Sequence, residues 1–241
     1  MHVVALDCGS STLKVAVVSP SGELRGLARR EVGTMRSPEG AVEQDPQELR
    51  RGVLEALEEA VGRSGVPAGD IAALAVSAQR ASVACLGADG RVLGPIRSWM
   101  DVRGGPLLRE LVAQPGLSDF CLRTGLPVAP VFTIARILWM RRHEPGLFAA
   151  TARFALVHDL VLRDLGSDEL VTDASNASLT GLFDTGSGAW WDDLLSRVGI
   201  GVAQLPRVVA SGTPVGRLGR EAAAWCGLRA GTLLVAGGGD H

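Results

Sequence analysis

Tyrosine is absent from this sequence, aromatic residues make up 4% of it, and Lys14 is the single lysine among its 24 basic residues. The preference for arginine, together with abundant Ala, Gly and Val, reads as the codon bias of a GC-rich gene and carries no functional meaning. Cysteine is sparse as well: Cys8, Cys85, Cys121 and Cys226 are scattered, with no CxxC pair and no metal-like spacing. That pattern argues against a disulfide framework or a zinc site, and reduced thiols in a cytoplasmic protein are the expectation. No apolar run reaches the roughly 18 residues of a membrane span. The opening Met1-His2-Val3-Val4-Ala5-Leu6-Asp7 lacks the charged and apolar regions of a signal peptide. Neither sign of charge dominates, and a net charge of −2 leaves no basic footprint for nucleic acid.

What is present is ample core-forming material. Of 241 residues, 46% are hydrophobic and 21% charged, which rules out a disordered chain and suits one large domain or two small ones. Three apolar runs, 3–7, 13–19 and 24–32, are separated by turn residues and predict three consecutive antiparallel strands. Asp45-Pro46 has the form of an N-cap with proline at the first helical position. Leu49, Val53, Leu57 and Val61 follow at a spacing of four, on one face of a helix ending near Gly65. Residues 71–77 predict a buried strand, 81–86 and 92–98 a hairpin around Gly87-Ala88-Asp89-Gly90, and 104–113 and 131–142 two helices. Short helices and loops are expected from 150 to 200, then a last strand over 233–236. Three strands, a helix and a strand, with further alternation, predict an α/β fold with a mixed sheet flanked by helices. This is the ribonuclease-H-like or actin-like ATPase type, since a doubly wound sheet would place a helix after its first strand.

Five segments carry candidate chemistry. In Asp7-Cys8-Gly9-Ser10-Ser11-Thr12-Leu13-Lys14, a carboxylate ends a strand and a small-residue turn follows. Gly9 would let a phosphate approach successive backbone N–H groups, Asp7 would hold Mg²⁺, and Lys14 would neutralise phosphate charge. An ordinary β-turn with a capping Asp reads the same residues. Gly237-Gly238-Gly239-Asp240-His241 places a carboxylate at the mouth of a sheet, where Asp240 is suited to accept a hydroxyl proton; a glycine-rich linker fits equally. Gln79-Arg80 and Trp99-Met100-Asp101-Val102-Arg103 offer polyol hydrogen-bonding groups and an indole face for sugar C–H groups. Core filling by Trp99 and a solvated Asp101–Arg103 pair are the plainer readings. Asp173-Ala174-Ser175-Asn176-Ala177-Ser178 reads as a loop entering a capped turn. His2, His143 and His158 lack partners at metal-like or triad spacing, and no GxSxG elbow is present.

Taken in order, with Val42-Glu43-Gln44-Asp45-Pro46 before the first helix, these segments resemble the N-terminal domain of the FGGY family of carbohydrate kinases. The resemblance covers essentially the whole chain. It implies two actin-like lobes with ATP and sugar in the cleft between them, and transfer of the γ-phosphoryl group of ATP to a sugar or polyol hydroxyl. Residues 1–236 would form the first lobe, and 237–241 the start of a second lobe supplied in cis or in trans. Carried over, Asp240 is the catalytic base and Asp7 the Mg²⁺-side carboxylate. Gly9, Ser10, Ser11, Thr12 and Lys14 face the phosphates, and Gln79, Arg80, Trp99, Asp101 and His241 line the sugar site. Ala81 stands where glycerol kinases of the family carry an acidic residue, and without tyrosine no phenol can contact a short polyol. A ketose is therefore expected over glycerol. The lone lobe would transfer phosphate poorly or not at all, and its exposed lobe-facing surface is compatible with a homodimer. A non-catalytic sugar-binding or regulatory module, one half of a split kinase, and another actin-like ATPase are the competing expectations.

Overall fold

The computed structural model describes residues 1–239. Its first residues alternate inward and outward side chains and form β1 (His2–Cys8), β2 (Thr12–Val18) and β3 (Leu24–Glu31), with consecutive pairs antiparallel. β4 (Met35–Arg36) and β5 (Val42–Gln44) lead to α1 (Pro46–Ser64). Asp45 caps this helix, its carboxylate accepting from the amides of Gln47 at 2.7 Å and Glu48 at 3.3 Å. Gly65 ends it with a left-handed φ of 63°. Leu49, Val53, Leu57 and Val61 are buried along one face, as their spacing predicts.

β6 (Ile71–Ala78) returns parallel to β1, and is followed by β7 (Val83–Leu86) and β8 (Ile96–Arg97). A helical stretch comes next: α2 (Gly105–Val112), α3 (Phe120–Thr124), α4 (Thr133–His143) and α5 (Pro145–Ala150). Then come β9 (Arg153–Leu156), α6 (Val157–Leu165), β10 (Val171–Asp173), α7 (Ala174–Ser178), β11 (Phe183–Asp184), β12 (Ala189–Trp190) and α8 (Asp192–Val198). The described chain closes with β13 (Arg207–Val209), β14 (Pro214–Arg217), α9 (Arg220–Cys226) and β15 (Leu233–Gly239), the last parallel to β6. Among the described residues the strands form a six-stranded mixed sheet, ordered β14-β15-β6-β1-β2-β3, a five-stranded sheet, β4-β5-β8-β7-β9, and two strand pairs, β10-β13 and β11-β12. This is the actin-like α/β architecture expected from the strand and helix order. α1, α6 and α9 cover one face of the larger sheet around Val4, Leu6, Leu57 and Leu234. A second core, with Phe120, Ile134, Ile137 and Leu194, joins α2, α4 and α8.

Strand register rules the opposite face of the larger sheet into rows. Leu27, Ala16, Ala5, Ala75 and Val235 stand side by side across five strands. The next row towards the site is Arg29, Lys14, Asp7 and Ser77. With Val3 43% and Leu27 41% exposed, this face is incompletely covered.

Three expectations change in detail. The turn at 87–90 closes, with the Gly90 amide donating to the Gly87 carbonyl at 2.9 Å. Val92 pairs back with Leu86 as the hairpin predicts, but the arm then breaks at Gly94 (φ 81°) and Pro95, and Ile96–Arg97 pairs against β5 and β7. The 150–200 region contains four strands of two to four residues, too short for period two to reveal. The last strand does not stop at Ala236 but runs through Gly237 and Gly238 to Gly239, so these glycines belong to the sheet.

Gly26 of β3 lies beneath α1, where an added Cβ would meet the Ala60 carbonyl oxygen and stand 2.9 Å from the Ser64 amide nitrogen. Both atoms are helix backbone and cannot swing aside. Gly26→Ala is expected to cost about 2 kcal/mol, read as a lower urea midpoint; an unchanged midpoint would mean that α1 slides freely on β3.

Candidate active site

Asp7, next to last in β1, stands directly opposite Lys14 on β2, and Lys14 Nζ donates to Asp7 Oδ2 at 3.1 Å. Asp7 Oδ1 is buried and has no hydrogen-bond partner among the described residues. The turn beyond is tight: the Gly9 amide donates to the Thr12 carbonyl at 3.1 Å, and a Cβ on Gly9 would stand 2.8 Å from that oxygen. Glycine is thus required at position 9, but its N–H is consumed inside the turn and does not face outward as expected. No group of three His, Cys, Asp or Glu side chains forms a metal cluster among the described residues. A single carboxylate oxygen without a partner still suits magnesium, which takes one or two carboxylates beside phosphate oxygens and water.

A cavity of about 230 Å³ opens beside this turn, lined by Ser10, Gln79, Arg80, Ala81, Trp99, Val131 and Leu179. Of the residues expected to bind sugar, Gln79, Arg80 and Trp99 therefore meet in one place. A relay of hydrogen bonds runs behind it. Gln44 Nε2 donates to the Ser10 carbonyl at 3.0 Å, and Gln79 Nε2 donates to Gln44 Oε1 at 2.9 Å. Ser82 Oγ donates to Gln79 Oε1 at 2.9 Å and accepts from the Trp99 amide at 3.0 Å. The Gln79 amide is thus engaged at both ends, holding the Ser10 turn at a set distance from Trp99. Ala81 has a left-handed φ of 64°, a conformation that costs an alanine about 1 kcal/mol or more and persists only when its surroundings enforce it. Gly239 packs on Arg80: a Cβ there would stand 2.8 Å from Arg80 Cγ and 2.9 Å from its Nε. The glycine strand end and the cavity are therefore neighbours.

Asp101 departs from expectation. It does not line the cavity, and its carboxylate turns to Arg103, whose Nε donates to Oδ1 at 3.0 Å and Nη2 to Oδ2 at 2.6 Å. The pair is not solvated either, since Asp101 is 2% exposed. The Arg103 guanidinium lies 3.7 Å from the centroid of the Trp139 ring, so the Trp99–Arg103 segment is anchored on α4. Asp173 is a buried N-cap of α7, as its segment predicts. Asp240 and His241 lie outside the described residues.

The residue that the sequence pattern does not reveal is Arg136. Its side chain is 1% exposed and donates only to backbone carbonyls: those of Trp99 (3.3 Å), Asp101 (3.0 Å) and Pro130 (3.2 Å) through Nη1, and of Ala81 (3.1 Å) and Val131 (2.5 Å) through Nη2. Thr133 Oγ1 donates to the same Ala81 carbonyl at 2.9 Å. Burial pushes the guanidinium down to about 9, so it is still cationic at neutral pH. One side chain thereby holds three segments that line or flank the cavity, including strained Ala81. Arg136→Met would leave these carbonyls without their donor, and a loss of about 3 kcal/mol is expected. Thermal unfolding should fall by roughly 10 °C, with Arg136→Lys intermediate; an unchanged midpoint for the methionine variant would contradict this role.

The model of the FGGY family of carbohydrate kinases, N-terminal domain, matches residues 2–241. Over 222 residues the chain is 35% identical to a glycerol kinase of Methylibium petroleiphilum, covering 89% of this chain and 44% of that protein. Over 242 residues it is 31% identical to a xylulose kinase of Bacillus subtilis, covering 100% of this chain and 48% of that protein. A xylulose kinase structure from Rhodospirillum rubrum superposes with a TM-score of 0.92 at 28% identity, over 100% of this chain and 49% of that one. A gluconate kinase structure from Lactobacillus acidophilus, at 21% identity and a TM-score of 0.92, shares the fold. The chain spans about half the length of the relatives it matches. With the family model matched from its second residue to its last, the chain belongs to the FGGY family of carbohydrate kinases.

Proposed function

We propose that this chain is the sugar-binding lobe of an enzyme that transfers the γ-phosphoryl group of ATP to a hydroxyl of a sugar or polyol. The observation that carries the reading is the cavity itself. It lies between the Asp7–Lys14 turn on one side and Arg80 with Gly239 on the other. A hydroxyl held there would have phosphate-side residues and the strand leading to Asp240 on its two flanks. Ala81, Trp99, Val131 and Leu179 supply apolar surface for C–H groups, while Ser10, Gln79 and Arg80 supply polar contacts. With Ala81 in place of a carboxylate, a ketose is favoured over glycerol. The curated relatives include both glycerol and xylulose kinases.

In this reading Ser10 and Ser11 offer the turn's backbone donors to phosphate, since the Gly9 amide is already bonded. Lys14 places its charge beside them. Asp7 Oδ1 would hold Mg²⁺, which when bound neutralises phosphate charge. Gln79, fixed by Gln44 and Ser82, sets the spacing between the phosphate turn and Trp99. Asp240 takes the proton from the attacking hydroxyl, and the second lobe, in cis or in trans, closes the cleft and excludes water. Phosphoryl transfer asks chiefly for such positioning and charge neutralisation.

ADP release by the whole protein, measured across ketoses, aldoses, polyols and glycerol, tests this reading. A ketose should give the highest kcat/KM, and Asp240→Asn should lower turnover roughly 10³-fold. Binding of a sugar with no phosphorylation by the whole protein would favour a non-catalytic sugar-binding module, and near-normal turnover in the variant would remove the base from Asp240.

A further inference from the structure

The peptide between Gly238 and Gly239 is gripped at both of its polar ends. Ser77 Oγ donates to the Gly238 carbonyl at 2.7 Å, and the Gly239 amide donates to Ser175 Oγ at 2.7 Å. The ladder is irregular here, since the β15–β6 register slips between Ala236 and Gly239 and pairing resumes only at Gly239 opposite Ala78. Side chains supplement it. Ser175 has one hydroxyl hydrogen, and it is committed: Ser175 Oγ donates to Asp173 Oδ2 at 2.6 Å. Towards Gly239 the hydroxyl can therefore act only as an acceptor. Ser211 Oγ donates to the same Asp173 oxygen at 2.6 Å, and Asn176 Nδ2 donates to Oδ1 at 2.6 Å. Burial alone would push the Asp173 carboxyl up, but these donors outweigh it and hold the group below its ordinary value. Asp173 is thus an anion that orients Ser175, and Ser175 orients the Gly239 amide.

An N-cap for α7 needs less than this. The amides of Ser175 (3.0 Å) and Asn176 (3.1 Å) already use the Asp173 carboxylate for that purpose. Capping explains neither the bond from Gly239 to Ser175 Oγ nor the matching hold by Ser77. Both act on the last described peptide before Asp240, and Gly239 is also the residue on which Arg80 packs.

We propose that Asp173, acting through Ser175, is a positioning residue that fixes the Gly238–Gly239 peptide beside Arg80, the peptide that the base of the proposed reaction follows in sequence. The proposal rests on the kinase reading above. Its sharpest probe is Ser175→Ala, which cuts the relay and leaves the backbone cap of α7 in place, with Ser175→Thr restoring the hydroxyl. In the 241-residue chain, amide exchange at Gly239 should accelerate at least tenfold in the alanine variant and return in the threonine variant, at similar thermal midpoints. In the whole protein, Ser175→Ala should lower kcat about 10²-fold with the sugar KM within about twofold, as expected of a misplaced base. The threonine variant should recover most of that loss. Unchanged exchange at Gly239 overturns the clamp whatever the activity, and accelerated exchange with unchanged kcat overturns its catalytic role. A parallel loss of kcat, KM and midpoint that threonine does not rescue reduces Ser175 to a folding residue and overturns the proposal. If the wild-type protein phosphorylates no sugar, the kinase reading fails and the catalytic role with it, while the exchange measurement still decides the clamp.

Discussion

Five backbone carbonyls converge on the guanidinium of Arg136, and the cavity exists in its present shape because of that convergence. Loop carbonyls buried near a ligand site need donors, and separate donors would let each loop relax on its own. A guanidinium presents several N–H groups in a planar fork, so one side chain satisfies loops that lie far apart in sequence and locks their spacing. The left-handed backbone at Ala81 is the local cost of this arrangement, and the bonds from Arg136 and Thr133 to its carbonyl explain how an alanine stays there.

Around this hub the site is built mostly by residues that hold other residues. Gln44 and Ser82 grip the Gln79 amide from opposite ends, linking the Ser10 turn to Trp99. Asp101 and Arg103 pair beside Trp139 rather than facing the cavity. Three side chains with obvious hydrogen-bonding chemistry, Gln79, Asp101 and Asp173, thus spend much of it within the protein. A site so braced gives up flexibility for fixed distances, which is what a reaction dependent on positioning requires.

The parts legible in the sequence are those whose signal is local. The three opening strands, the Asp45 cap and the Gly65 stop follow from alternation, side-chain capping and left-handed glycine, each decided within a few residues. Gln79, Arg80 and Trp99 follow strands that the pattern locates, so their meeting in one cavity is a consequence of topology. Arg136 was hidden because α4 is buried on almost every side, and a helix without a polar face gives periodicity nothing to mark. The available signal was an arginine set between Ala135 and Ile137 in an otherwise apolar turn. The burial of Asp101 is hidden for a related reason: the i,i+2 spacing to Arg103 suggests a surface pair, and only tertiary packing buries it. Gln44 stands just before the α1 cap, but its partner is 35 residues away, beyond any local pattern.

The uncovered face of the six-stranded sheet carries a tension between stability and access. Strands paired in parallel, as β1, β6 and β15 are, normally bury both faces. Here the row of Leu27, Ala16, Ala5, Ala75 and Val235 offers small apolar side chains that a packed layer would cover well. One step along the strands the chemistry changes to Arg29, Lys14, Asp7 and Ser77, where the partnerless oxygen of Asp7 and the hold on Gly238 both lie. A cover that extended over this second row would bury the charges of Lys14 and Asp7. A cover that stopped before it would bury the apolar row and leave a cleft at the strand ends. The boundary between the two rows therefore fixes how far any neighbouring layer can advance without burying charge, and the polar row marks where such a layer would stop.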